Sequence, residues 1–472
     1  MKKFLFPIFL LITITCSAQE DNIHQKSTIY EAPTDPLVQE KLKNWGDQKF
    51  GMLIHWGVYA VPGIIESWQL CSEPWLERPE GMSYNDYKKW YWNLSSVFNP
   101  VNFDPDGWAS AAENAGMKYV VFTTKHHDGF NMFDTQQTDY KITNGPFKNH
   151  PKANVAKYVF DAFRKKDFMI GAYFSKPDWH SQDFWWDKYA TPDRNPNYDI
   201  RKYPERWERF QDFTYNQIQE LMTGYGQIDI LWLDGGWVRP RETVTDEVRA
   251  WGAPIPDWDQ NVNMPKIAEM ARKAQPGIIF ADRTVHGPYE NYQTPERSIP
   301  ETKLDNPWES CITLGNAWGY VPNDTFKSAN KVIALLSEIV SKGGNLLLGV
   351  GPQSDGIIPL DAVKRLEEIG SWLDKNGDAI YRTHAIDDYT DGTVFFTAND
   401  ENLFAIVPLK EGEKMPKQVR WGKHIPKKGS KITVLETGEK LDWNLKDGKV
   451  IVQLPNSLKN KILPALAFSF KK

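Results

Sequence analysis

The chain has 472 residues, with 56 basic against 61 acidic side chains and a formal net charge of −5. That length calls for about two domains once a barrel of ~250 residues or more is counted as one. The acidic balance argues against a nucleic-acid partner, which needs a basic face.

Lys2 and Lys3 precede the apolar run Phe4 to Ile14, and Cys16-Ser17-Ala18 supplies small residues before Gln19. This order predicts a secretory signal peptide over residues 1–18. The run is too short to span a bilayer, which takes about 20 residues, and no later stretch reads as a membrane span. The alternative is a lipoprotein acylated at Cys16, which Thr15 in front of it fits poorly. The product is expected to be secreted or periplasmic. Beyond the leader only Cys71 and Cys311 remain. Their spacing fits no zinc motif; they pair or stay free, and neither is a candidate nucleophile. Twenty Trp and 19 Tyr suit a carbohydrate cleft as well as a large core.

From about residue 45 to 380, short apolar runs alternate with helical patterns. The runs are Phe50 to His55, Tyr119 to Thr124, Phe168 to Ser175, Ile228 to Asp234, Gly277 to Arg283 and Asn345 to Val350; Glu309 opens a further one. The helices are Asp106 to Ala115, Asn154 to Lys166, Pro204 to Met222, Lys327 to Ser341 and Leu360 to Asn376. Continuous apolar strands separated by helices predict buried parallel strands in right-handed βαβ units. The fold class is α/β, a (β/α)8-like TIM barrel over residues 19–382. After Tyr381 the pattern changes to short strands with Gly and Asp turns, which predicts a C-terminal antiparallel β-sandwich over residues 383–472 with a structural role.

Barrel active sites lie at the C-terminal ends of the strands. The strand ends here are His55-Trp56-Gly57, His126-His127-Asp128, Tyr173-Phe174-Ser175, Trp232-Leu233-Asp234-Gly235-Gly236 and Asp282-Arg283. Asp234 is followed by two glycines, which predicts close approach of a ligand to the backbone. On an extended strand His126 and His127 would point to opposite sides.

These motifs, in order, resemble the α-L-fucosidases of glycoside hydrolase family 29. The resemblance is carried by Lys49 to Gly57, Ala115 to Val121, Thr124-Lys125-His126-His127-Asp128-Gly129-Phe130, Ile230 to Gly235, Trp308-Glu309-Ser310-Cys311, Trp318-Gly319-Tyr320, Lys342 to Pro352 and Asn376 to Tyr381. It implies a retaining exo-glycosidase acting on a fucosylated oligosaccharide or glycoconjugate, without cofactor or metal. Such an enzyme needs two carboxyls about 5 Å apart. Asp234 matches the nucleophile. Two residues compete for the acid/base: Glu296, on the loop after the fifth strand, is favoured, and Glu309 is the alternative, otherwise a sugar-contacting or supporting residue. The resemblance also assigns His55, His126 and His127 to sugar hydroxyls, Tyr173 and Arg283 to the surroundings of the nucleophile, and Trp232 to the pocket lining. Family members often carry Glu-Trp after the first strand. Here Glu66-Ser67-Trp68 has one residue more, so the register of Glu66 and Trp68 is open. The tryptophan-rich insert at Trp179 to Trp186 and the segment 239–259 are expected to form this chain's own cleft walls, which leaves a galactose-configured substrate in play.

Two other classes fit less well. Metal-dependent amidohydrolase barrels use a His-x-His pair on the first strand, whereas His55 is followed by Trp56-Gly57. A non-catalytic sugar-binding barrel would have no need of Asp234 and both glutamates.

Overall fold

The computed structural model of the chain describes residues 30–73, 76–250 and 252–471; the expected leader and Cys16 lie outside them. Seven parallel strands form one sheet: β1 (Phe50–Ile54), β2 (Tyr119–Lys125), β3 (Met169–Ser175), β4 (Ile230–Asp234), β5 (Ile279–Asp282), β6 (Glu309–Thr313) and β7 (Asn345–Val350). Their order is β5-β4-β3-β2-β1-β7-β6. The gap between β5 and β6 is bridged by residues 290–297, which never become a regular strand. Asn291 N–H donates to Phe280 O (2.9 Å) on the β5 side. On the other side Glu309 N–H donates to Gln293 O (2.8 Å) and Cys311 N–H to Pro295 O (3.0 Å). Pro295 has no N–H to give a ladder, and Arg297 turns to φ 51°, so extended pairing cannot continue. The barrel is thus seven laddered strands and one irregular stave.

The helices are α1 (Pro36–Gln48), α2 (Tyr84–Asn93), α3 (Pro105–Asn114), α4 (Val155–Arg164), α5 (Pro204–Gly224), α6 (Asp246–Ala250), α7 (Met264–Ala274), α8 (Ala329–Ser341) and α9 (Leu360–Asn376). Several begin with Pro in the first turn, where its missing N–H costs nothing. On α4, Val155, Val159, Ala162 and Phe163 are buried at helical spacing.

Helix α1 was not expected. Its Val38, Leu42 and Trp45 join the cluster that fills the barrel interior, with Tyr119, Tyr173, Trp232, Tyr292 and Cys311. Trp45 stacks on Tyr292 (centroids 4.2 Å apart) and meets Tyr119 edge-on at 6.4 Å, while its carbonyl accepts from Asn345 Nδ2 (2.8 Å). Since Tyr119 and Asn345 start β2 and β7, α1 plugs the N-terminal mouth.

The C-terminal region contains β8 (Thr390–Asp391), β9 (Val394–Ala398), β10 (Leu403–Pro408), β11 (Gln418–Trp421), β12 (Ile432–Val434), β13 (Lys440–Leu441), β14 (Trp443–Lys446), β15 (Lys449–Gln453) and β16 (Ala465–Phe470). They form a six-stranded sheet, β13-β12-β16-β10-β9-β8, and a three-stranded one, β11-β15-β14. Alternation along β10 and β16 sorts side chains to two faces. Ala405, Leu466 and Phe468 meet Val419, Trp421, Val450 and Val452 of the smaller sheet, which is the sandwich core. Phe404, Ile406, Ala465 and Ala467 belong to the main core of the barrel domain, and Trp372 of α9 donates its indole N–H to Ala465 O (2.8 Å).

Candidate active site

Asp234 ends β4 at the C-terminal mouth and is met by donors on every side. Arg283 Nη1 reaches Oδ1 at 2.9 Å and the Gly235 N–H the same oxygen at 2.8 Å, while the Tyr173 hydroxyl donates to Oδ2 at 2.6 Å. Burial alone would raise the pKa of this carboxyl. The charge of Arg283, then His127 and the bonds from Tyr173 and Gly235, more than offset it and hold Asp234 well below the usual carboxylate range. The two glycines after it have a different use from the one expected. Gly235 sits at φ 89°, and side chains at Gly235 and Gly236 would run into Pro177 and Thr284, so they let neighbouring loops pack.

The three histidines share one arrangement: each Nδ1 is tied by a hydroxyl. His55 pairs with Tyr59 (2.7 Å), His126 with Ser67 (2.6 Å) and His127 with Ser175 (2.7 Å). Ser175 gives its own proton to Pro177 O (2.7 Å), so it accepts from His127 Nδ1–H, leaving a lone pair on Nε2, 3.8 Å from Asp234 Oδ2. Burial lowers the pKa of His127 to about 3 and holds His55 and His126 well below their ordinary value, so all three are neutral. His126 and His127 do not point apart. The ladder shifts register between Thr123 and Lys125, the chain turns at 126–129, and the two rings lie 4.1 Å apart.

Glu296 lies on the irregular stave. Its Oε2 accepts from Arg283 Nη2 at 2.6 Å and its Oε1 from the Trp318 indole at 3.1 Å. One guanidinium therefore links Asp234 to Glu296, and Arg283 Nε is itself fixed by Thr294 Oγ1 (3.1 Å). Glu66 places Oε1 against the backbone N–H groups of Trp318 and Gly319, both at 2.9 Å, so it anchors the loop that carries Trp318. Its burial raises its pKa.

Glu309, the competing acid/base candidate, lies elsewhere. It is fully buried at the start of β6, with Oε2 on the Tyr119 hydroxyl (2.6 Å) and Oε1 on the Trp232 indole N–H (3.2 Å). Trp232 roofs it. That ring is stacked on Tyr173 at 5.1 Å and lies 4.6 Å beneath the Arg283 guanidinium. Glu309 thus supports the floor of the site and does not face the cleft.

The side wall beside His127 is aromatic. Trp68, Trp179 and Trp237 each place a ring 5.0–5.2 Å from it. Trp179 stacks on Trp185 at 4.9 Å, which puts the expected insert in this wall. Arg194, unmarked in the sequence, ties the wall together: it forks onto Glu73 with two 2.7 Å bonds and lies between Trp68 and Trp237. Thr294, Ser67 and Ser175 were also missed; hydroxyls that orient a neighbour leave no pattern. Trp318 stood in a matched motif but without a role. Cys71 and Cys311 are free and buried.

Among the described residues His126, His127 and Asp234 bring donor atoms within 4.8 Å of one another. That spacing could hold a cation, but the carboxylate is already the acceptor for Arg283, Tyr173 and Gly235, so its charge is met by protein donors.

The sequence profile of the Alpha-L-fucosidase family matches residues 17–378. The plasma alpha-L-fucosidase of Rattus norvegicus is 28% identical over 448 residues, 90% of each chain. The tissue alpha-L-fucosidase of Mus musculus is 30% identical over 375 residues, 73% of this chain and 72% of that one. Among solved structures, alpha-L-fucosidase isoenzyme 1 of Paenibacillus thiaminolyticus superposes with a TM-score of 0.74 at 30% identity, covering 92% of this chain and 99% of that one. The Thermotoga maritima alpha-fucosidase in complex with fucose gives 0.70 at 26%, covering 92% and 98%. The chain therefore belongs to the alpha-L-fucosidase family of glycoside hydrolases.

Proposed function

We propose that this protein is a secreted or periplasmic exo-acting α-L-fucosidase that works with retention, with Asp234 as nucleophile and Glu296 as acid/base. The observation that carries the reading is Arg283, whose two terminal nitrogens hold one carboxyl each at the barrel mouth. Asp234, kept ionised, attacks the anomeric carbon while Glu296 gives a proton to the leaving oxygen. In the second step the Glu296 carboxylate takes a proton from the water that attacks the glycosyl-enzyme and releases Asp234. The Nε2 lone pair of neutral His127 accepts a sugar hydroxyl, His55 and His126 offer their Nε2 atoms beside it, and Trp68, Trp179 and Trp237 keep water from the His127 side.

The test is hydrolysis of 4-nitrophenyl α-L-fucoside by residues 19–472, with the α-L-galactoside and β-D-galactoside in parallel. Asp234→Asn should lower kcat by about 10⁴-fold, the scale of removing a group that acts as part of a unit. Glu296→Ala should lose activity that azide restores. Cleavage of a galactoside alone would move the substrate assignment, and no turnover of any of the three would sink the reading.

A further inference from the structure

Glu309 is fully buried, yet only two side chains, Trp232 and then Arg283, separate it from both carboxyls of the proposed mechanism. Its neighbours are Tyr119 from β2, Trp232 from β4, Tyr292 from the stave, Cys311 from its own strand, and Asn345, opposite it on β7. Both groups bonded to it are donors, and a carboxylate, which only accepts, suits both at once. An indole has a single N–H, so that bond fixes how the ring of Trp232 is turned in the barrel. The ring faces then decide where Tyr173 and Arg283 lie, and these are the two side chains that donate to Asp234. Arg283 continues to Glu296.

We propose that Glu309 is a positioning residue for the glycosidic reaction: by holding the Trp232 indole it sets Tyr173 and Arg283 against Asp234. This rests on the functional reading above and deepens it. Among the described residues no cation touches the Glu309 carboxyl, and burial pushes its pKa up to about 7 against the pull of Tyr119, Trp232 and the more distant Arg283 charge. The floor therefore changes charge near neutrality, and Arg283 is the charged group closest to feeling it.

The experiment compares Glu309→Gln, Glu309→Ala, Trp232→Phe and the double variant Glu309→Gln/Trp232→Phe on 4-nitrophenyl α-L-fucoside, with kcat and KM measured across pH. Glu309→Gln keeps one acceptor, and the Tyr119 hydroxyl can turn to meet its amide, so this variant should fold. Its kcat should fall about tenfold with KM within about twofold, because placement of the nucleophile is lost while sugar contacts are kept. The acid limb should move to higher pH as the donors to Asp234 loosen. In the Trp232→Phe background the same change should cost almost nothing more, since the pair acts as one unit. Additive losses, or a stability change with an unaltered kcat and pH profile, would overturn the proposal. So would azide rescue of Glu309→Ala, which would make Glu309 the acid/base itself. Wild-type turnover is scored first: if it is absent the functional reading fails and the proposal falls with it, whereas wild-type activity with additive variants sinks the proposal alone.

Discussion

At the C-terminal mouth of the barrel Asp234 is enclosed by an arginine, a tyrosine hydroxyl and a backbone N–H; at the opposite end Glu309 is enclosed by a tyrosine hydroxyl and an indole N–H. Glu309 is fully buried and Asp234 keeps 15% of its side chain exposed, and one tryptophan separates their surroundings. Yet one is driven below the usual carboxylate range and the other up to about 7. The difference is the guanidinium. At Glu309 two neutral donors do not offset the desolvation of the carboxylate, whereas at Asp234 the contacting cation, with Tyr173 and the Gly235 N–H, does. The barrel interior thus holds one carboxyl ionised and raises the pKa of another through the placing of a single charge.

Among changes to the surroundings of the two carboxyls, the largest effect should come from removing that charge. Arg283→Met should lower kcat/KM by about 10³-fold, or roughly 4 kcal/mol of barrier. With the main term that lowers its pKa gone, Asp234 should titrate higher, moving the acid limb of the pH–rate profile upward. An unmoved acid limb would mean that Arg283 serves the sugar and not the nucleophile.

Next is the stability of the floor. Between the ordinary glutamate value of 4.5 and about 7, folded Glu309 keeps a proton that the unfolded chain releases. Stability from this group is therefore complete below pH 4.5 and falls as pH rises through that window, by up to about 3 kcal/mol. Glu309→Gln should remove this slope, so thermal melts at pH 5 and pH 8 should differ less for the variant than for the wild type. Equal slopes would deny Glu309 its raised pKa.

Tyr173→Phe removes one neutral donor from Asp234 and keeps the stack on Trp232; a loss of about tenfold in kcat with a small upward shift of the acid limb is expected. Ser175→Ala should be mildest. It frees the His127 tautomer without touching a charge, and should raise KM by a few fold with kcat nearly unchanged.

The strands and the place of Asp234 were legible because period and chemistry coincide there. Runs such as Ile230 to Leu233 are buried on both faces, and the carboxyl follows at the strand end. What escaped was long-range. Nothing local in Pro36–Gln48 says that Trp45 plugs a barrel formed by strands far along the chain. The stave at 290–297 has no strand pattern, because its pairing is made of isolated bonds around Pro295. His126 and His127 were set on opposite sides by the alternation of a strand that ends at Lys125. Glu296 was favoured over Glu309 for its loop position, but nothing in the sequence shows that Glu309 is fully buried under Trp232 while Glu296 shares Arg283 with Asp234. The C-terminal strands were read from their alternation, but the sharing of β10 and β16 between two cores depends on α8 and α9 arriving behind them.

The stave also bears on redesign. Asp234 is held in register on both flanks, through Ser175 on β3 and the pairing of Leu233 with Asp282 on β5, so its place cannot be changed without moving the sheet. Glu296 rides on a stave paired to its neighbours at isolated points, within a 26-residue connection from Arg283 to Trp308. Insertions in the more exposed stretch 301–305 of that connection would reshape the rim near Glu296 while Asp234 stays fixed, at little structural cost. That connection is where a new leaving group could be accommodated while the chemistry on the sugar stays as it is.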